Sequence, residues 1–257
     1  MTKWLISGRK PLSAAVRRAY WESVHKDDRY RTVCSLTDST AVLDRLSSAL
    51  SGLSPSLDIL IPGCGSRTSL QRRLIADRPS ARLTCVDYPA VVAIASADFP
   101  HPNVTYLAHD LAAPCWTESF DAVLCVNAVV SESDEENRLI LRNCREAMRT
   151  DALFVGYFPT LFAPFEIALL SGDESRIEAM DLPSSTFYEA GQDAHQIFYT
   201  PLRLRVILRE AGFVLQTLEI AFLDSPEHFG RDTPWRNPGA DDVDLVIYEL
   251  LALARKS

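Results

Sequence analysis

The 257-residue chain has no apolar stretch approaching the length of a membrane span, and residues 1–13 lack the apolar centre of a secretory signal. No membrane association is therefore expected. The six cysteines, Cys34, Cys64, Cys85, Cys115, Cys125 and Cys144, form no C-x-x-C pair. Several lie inside apolar runs, which reads as buried, reduced thiols in a cytoplasmic protein; neither a disulfide framework nor a metal is expected. Positive charge is also scarce. With 26 Lys+Arg against 34 Asp+Glu the formal net charge is −8, which argues against a protein built to hold the phosphate backbone of a nucleic acid. Basic pairs such as Arg72-Arg73 are too few to alter that balance. There is no internal repeat and no low-complexity tract.

What is present is ample apolar material. Apolar residues make up 47% of the chain, enough for one large α/β domain or a core domain with a modest insertion. From Leu57 onward, short apolar strands alternate with helical patterns, which predicts βαβ units and a largely parallel sheet. The strands are expected at Leu57 to Ile61, Arg82 to Val86, Val104 to Leu107, Phe120 to Val126 and Ala152 to Phe158. Two further long strands, Val214 to Leu223 and Val243 to Leu251, finish the chain. Helices are expected at Leu12 to Tyr20, Ser39 to Leu50, Ser69 to Ala76, Pro89 to Phe99 and Ser133 to Arg149. Ser133 followed by Asp134-Glu135-Glu136 suits the positive end of the last of these. Thr200-Pro201 opens another helix, which Ala211-Gly212 closes. Between Pro159 and Gln196 the βαβ rhythm is lost, and the stretch reads as an insertion over the carboxyl ends of the strands. Asp224 to Asp242 reads as a long loop.

In an open α/β sheet, ligands bind beyond the carboxyl ends of the strands, so the residues just after each strand carry the functional information. The first strand ends in Ile61-Pro62-Gly63-Cys64-Gly65, whose glycines allow a tight turn and close approach to a ligand. The second ends in Cys85-Val86-Asp87-Tyr88, where a carboxylate can accept both hydroxyls of a ribose. The third is followed by His109-Asp110-Leu111, where an adenine amino group needs an acceptor. Each acid taken alone can equally cap the turn that follows it. Their joint spacing, about 22 residues from Gly65 to Asp87 and about 23 more to Asp110, favours a nucleoside site. A dinucleotide site fits less well, because the G-x-G-x-x-G pattern fails at Thr68.

With the glycine turn, the VDY and HDL acids, the SFDAVL strand and the FYTPLRLRVILREAGF helix, residues 57–213 resemble the class I S-adenosylmethionine (SAM)-dependent methyltransferases. The resemblance implies a Rossmann-like, seven-stranded, mostly parallel sheet with an antiparallel last strand and helices on both faces. Residues 1–55 would form an N-terminal helical cap, and residues 56–257 a SAM-binding domain with a lid insertion at about 159–199. Gly63 and Gly65 would pass under the methionine part of SAM, Asp87 would hold the ribose, Asp110 would face the adenine, and Tyr88 would flank the ring; Cys64 and Leu111 would also belong to the cofactor set. Asn127 would complete the cofactor set. The chain departs from the family's usual turn, which has an acid two residues before the first glycine and a third glycine at its end; here those positions are Ile61 and Arg67. Thiol, thiopurine and certain lysine methyltransferases share the apolar-Pro-Gly-Cys-Gly variant.

Methyl transfer from a sulfonium needs alignment and desolvation more than covalent help, so the lack of a catalytic triad is no objection. Candidates for shaping the reacting centre are Asn127 after the fourth strand, Tyr157 near the end of the fifth, Tyr20 and Trp21 in the N-terminal segment, and Phe187, Tyr188, His195 and Tyr199 in or beside the insertion. Aromatic faces suit a positive sulfonium, and His195 can act as a base near neutrality. The expected activity is methylation of a small-molecule metabolite, in the manner of secondary metabolism, by a monomer or homodimer. Two alternatives stay open. One is a SAM-consuming enzyme that cyclises SAM to azetidine-2-carboxylate and releases methylthioadenosine, which the apolar Ile61 motivates; the other is a SAM-binding partner without catalysis.

Overall fold

The computed structural model describes residues 14–26, 39–160, 177–181, 185–189, 194–222 and 248–256. Two helices come first, α1 (Ala14–Lys26) and α2 (Thr40–Ala49), and the sheet begins with β1 (Asp58–Pro62). Then follow α3 (Ser69–Asp77), β2 (Arg82–Asp87), α4 (Pro89–Asp98), β3 (Val104–Ala108), β4 (Phe120–Val126), α5 (Asp134–Ala147) and β5 (Met148–Pro159). The seven-stranded sheet is completed by β9 (Phe213–Phe222) and β10 (Tyr248–Lys256), in the order β3-β2-β1-β4-β5-β10-β9. All neighbours are parallel except β10, which runs antiparallel to both β5 and β9. This is the Rossmann-like arrangement expected, with the last strand reversed.

Alternation along the strands sorts the core onto the two faces of the sheet. Ile59, Ile61, Leu124, Val155 and Leu251 pack on one face with Leu46 and Leu50 of α2 and Leu70 and Leu74 of α3. Leu60, Val123, Phe154 and Leu250 pack on the other with Ile140 and Leu141 of α5 and with Leu204 and Leu208 of α6 (Pro201–Glu210). Central strands buried on both faces read in sequence as continuous apolar runs, which is why β1 and β4 were legible. Away from the carboxyl edge, Asp58 accepts from Arg82 at 2.6 and 2.8 Å and from Arg149 at 3.0 Å, and Asp121 accepts from Arg149 at 2.6 Å. Arg82 and Arg149 hold the Asp58 carboxyl below its ordinary range. Asp121, the acid of SFDAVL, also accepts from the Asp58 main-chain N–H at 2.9 Å, so it pins β1 to β4.

Three features differ from the sequence reading. The fifth helix ends at Ala147 and β5 starts directly at Met148, because Met148 pairs with Phe120 before a register shift brings Leu153 opposite Ala122. Asp151, at φ +62°, absorbs the irregularity. The insertion contains a three-stranded antiparallel sheet, β6 (Met180–Asp181), β7 (Thr186–Glu189) and β8 (Ala194–Ile197), whose strands are too short to show a period in sequence. The final strand lies at 248–256, further along than expected. The linker 27–38 and the loop 224–242 lie outside the described residues.

The insertion returns onto the loop after β4. Ile197 N–H donates to Val130 O at 3.3 Å, and the Tyr199 hydroxyl, on a residue with no exposed surface, donates to Val129 O at 2.9 Å. Tyr199→Phe is therefore expected to lower stability by about 1 kcal/mol, read as a shift of the denaturation midpoint, since a buried hydrogen bond is lost at little change in shape.

Candidate active site

The sheet reverses its direction of winding between β1 and β4, and the turns after these strands meet at that switch point. Gly63 and Gly65 both have positive φ, +63° and +66°. A Cβ on Gly63 would lie 2.4 Å from the Cβ of Ala128, so the turn after β1 and the loop after β4 are in backbone contact only because the side chain is missing. The loop is held from several sides. Asn127, at φ +49°, donates its main-chain N–H to Tyr157 O at 3.0 Å. Asn137, fully buried in α5, accepts from Ser131 N–H at 3.0 Å and donates to Ser131 O at 2.8 Å. Ser133 caps α5 by accepting the Glu136 N–H.

A cavity opens at this edge. Gly63, Gly65, Asp87, Tyr88, Asp110, Leu111 and Asn127 line it, so the positions expected from four separate strand ends converge on one space. Asp87 is held by Gly65 N–H to Oδ2 at 2.9 Å and by Tyr88 N–H to Oδ1 at 2.7 Å. Burial raises its carboxyl to about 6 against the opposing pull of those two bonds. Asp110 forms a local turn, accepting from Ala112 N–H at 2.9 Å. Burial pushes the Tyr88 hydroxyl up to about 12.

Other singled-out residues stand outside the cavity wall. Cys64 turns into the core at 5% exposure; the Cys85 thiol beside it and burial push its own thiol far above the ordinary range, while its N–H donates to Val86 O at 3.1 Å. Its contribution to the turn is thus through the main chain. Tyr157 is 1% exposed and packs in the core with Leu46 and Leu50, because the end of β5 is covered on both faces. Tyr20 lies edge-on to Trp21, and Tyr188 is on β7; neither reaches the cavity. The backbone of His195 pairs with Tyr188 in β7–β8, and its side chain is outside the described residues.

The cavity also has walls away from the strand ends, where Trp21 was among the expected residues and Arg17 and His25 were not. Arg17, Trp21 and His25, four residues apart on α1, put one helix face against it. Arg17 pairs with Glu136 at 2.6 Å and with Glu132 at 3.9 Å, tying α1 to the start of α5. His25 is 9% exposed, hydrogen-bonds Ser66 Oγ through Nδ1 at 2.9 Å, and is held down at about 4 by burial, so its ring is neutral at neutral pH. Ser131, Glu132, Glu136 and Gln196 complete the opposite side. The spacing of Arg17, Trp21 and His25 was the available sign, since three polar or aromatic residues on one stripe of a helix mark a face that meets something other than core.

Residues 60–156 match the family model of a methyltransferase domain. No curated protein matches the chain in sequence. Among solved structures, the chain is similar to the Burkholderia thailandensis 1,6-didemethyltoxoflavin-N1-methyltransferase, bound to 1,6-didemethyltoxoflavin and S-adenosylhomocysteine, at 17% identity over 99% of this chain and 98% of that one, with a TM-score of 0.61. It is also similar to the magnesium protoporphyrin IX methyltransferase of Synechocystis, bound to S-adenosylhomocysteine, at 16% identity over 95% of this chain and 100% of that one, with a TM-score of 0.63. At such identities the likeness is one of fold. With the family match and the strand order, it gives the chain the fold of the class I SAM-dependent methyltransferases, with a methyltransferase-domain match over residues 60–156.

SAM is the cofactor of that class, and the residues present fit it: a turn with no Cβ to obstruct a ligand, and a carboxylate aimed at the same space. Gly63→Ala is expected to abolish SAM binding and cost about 2–4 kcal/mol of stability, through positive φ and the clash with Ala128. Asp87→Asn is expected to weaken SAM binding by about 30-fold in calorimetry. For methylthioadenosine, which has the ribose and no ammonium, affinity for the parent chain should fall roughly tenfold per pH unit below about pH 6, where Asp87 takes up a proton, and the variant should lose that dependence.

Proposed function

We propose that the chain methylates a small-molecule metabolite, as part of a secondary metabolic route in the cytoplasm. The observation that carries this reading is the set of walls around the cavity. With the face of α1 on one side, Gln196 of β8 on another and the β4 loop beneath, the acceptor has a walled site rather than an open groove for a polymer. The acidic net charge supports the same exclusion of nucleic acid. The similar structures named above bear the names of enzymes that methylate heterocyclic small molecules, and an acceptor of that size is read here too. Residues 1–55 are read as the cap, and residues 56–257 as the SAM domain with its lid.

In this reading Gly63 and Gly65 carry the methionine part, Asp87 accepts from the ribose hydroxyls, Asp110 accepts from the adenine amino group, and Tyr88 and Leu111 flank the ring. Asn127 stands next to the reacting centre. SAM supplies an activated methyl group: the acceptor's lone pair bonds to the methyl carbon while the methyl–sulfur bond breaks and its electron pair stays on sulfur. The chain's work is to align the acceptor, exclude water and offset positive charge with Asp87, Asp110, Glu132 and Glu136. Ile61, 2% exposed within the core, is absent from the cavity wall, so it forms no surface against the ligand's amino group. The acceptor is aligned by the polar wall of Ser131 and Gln196 and by the Trp21 ring.

The test is incubation of the pure chain with methyl-labelled SAM and a metabolite extract, with the nucleoside product identified. S-adenosylhomocysteine and a labelled small molecule are expected. Methylthioadenosine without labelled acceptor would replace methyl transfer by cyclisation, and SAM binding with neither product would make the chain a binding protein.

A further inference from the structure

One buried carboxyl at the carboxyl edge of the sheet has no part in the site as described so far. Glu249 is near the start of β10 and is 6% exposed. Because β10 runs against its neighbours, its first residues arrive at the edge where the parallel strands end, with Glu249 opposite Pro159 of β5 and Ala221 of β9. Its Oε1 accepts from Asn127 Nδ2 at 2.9 Å. The other oxygen of each partner, Glu249 Oε2 and Asn127 Oδ1, is buried and has no hydrogen-bond partner. Buried polar atoms are rarely left so, and here two oxygens are left together, on a pair of which Asn127 lines the cavity.

The two oxygens differ in kind. The Asn127 amide nitrogen has one of its two N–H groups committed to Glu249, whereas its carbonyl oxygen has no partner at all, so that oxygen is the atom most in need of a donor from a bound molecule. The carboxyl behind it can carry a charge. An acceptor oxygen backed by a carboxyl is suited to a protonated amine, which offers up to three N–H donors and a positive charge. We propose that Glu249 is a positioning residue that fixes the Asn127 amide and supplies the countercharge behind it, so that the Asn127 carbonyl oxygen receives the ammonium on the amino-acid half of the cofactor. This rests on the reading of the cavity as a SAM site.

The state of Glu249 gives the pair a second property. Burial raises its carboxyl to about 8, opposed by the bond from Asn127. Among the described residues, the charged and titratable groups gathered near it are Tyr157 of β5, whose hydroxyl is affected by Glu249, and the Arg45–Glu219 ion pair of α2 and β9, which also surrounds Tyr157. Glu249 is thus mostly protonated in the free chain at pH 7, with the proton on Oε2, which becomes an acceptor only on ionisation; an arriving ammonium favours the ionised form, releasing that proton.

The test compares two nucleosides by calorimetry, S-adenosylhomocysteine, which has the ammonium, and methylthioadenosine, which lacks the whole amino-acid half. Both share the ribose and adenine, so the titration of Asp87 affects them alike. Glu249→Gln keeps an acceptor for the amide and removes the charge; S-adenosylhomocysteine should bind about tenfold more weakly to it, and about 30-fold more weakly to Asn127→Ala. Methylthioadenosine should bind both variants within about threefold of the parent, which also shows that they are folded. Proton release at pH 7, measured in buffers of different ionisation enthalpy, should accompany S-adenosylhomocysteine binding to the parent and vanish in Glu249→Gln. Equal losses for the two nucleosides, or no loss for either, would overturn the proposal while leaving the SAM reading intact. A parent chain that binds neither nucleoside would overturn the SAM reading, and the proposal with it.

Discussion

There is no room for one more carbon atom between the turn after β1 and the loop after β4. The Cβ that Gly63 lacks would sit 2.4 Å from Ala128, and the rest of the ligand edge depends on that contact. It lets the first turn drop against the second, which sets Gly65 N–H on the Asp87 carboxylate and brings Asn127 alongside the same space. Gly63 and Gly65 adopt left-handed φ without a side chain to hinder it, so the conformational cost at the switch point of the sheet falls on Asn127.

The molecule treats polar atoms differently at its two edges. At the edge away from the site, Asp58, Asp121, Arg82 and Arg149 satisfy one another, and that cluster pins β1 to its neighbours. Beneath the site, Asn137 spends both ends of its amide on Ser131 and so makes the loop after β4 rigid. At the ligand edge itself, Asn127 and Glu249 share one bond and leave two oxygens over. Gln71 of α3 also leaves both its amide atoms without a partner, so it is the position of the Asn127–Glu249 pair at the cavity that points to a ligand.

Much of the fold was legible because the parallel strands are buried on both faces and so read as apolar runs with Gly or Asp at their ends. The cavity-lining positions at the strand ends were legible for the same reason, since each lies at the last residue of a strand or within three residues after it. What could not be read depends on tertiary register. Tyr157 looked like a site residue because it is aromatic and near a strand end, yet the covering of β5 by α2 takes it into the core. Glu249 attracted no attention as one acid in a hydrophobic strand, and only the reversal of β10 carries it to the ligand edge. The face of α1 was hidden for a different reason: a helix with Arg17 and His25 on one stripe has the polar texture of a solvated helix until its neighbour is known.

That helix is fastened by two unlike fixings. At one end Arg17 is paired with Glu136, an attraction that dissolved salt weakens. At the other, His25 is buried as a neutral ring whose pKa is about 4 in place of 6.5. The unfolded chain therefore takes up more protons than the folded one between those values, so the support from His25 is complete above about pH 6.5 and is lost as pH falls toward 4. Brine and acid thus loosen opposite ends of the same helix, so its hold on the cavity wall depends on ionic strength at one end and on pH at the other.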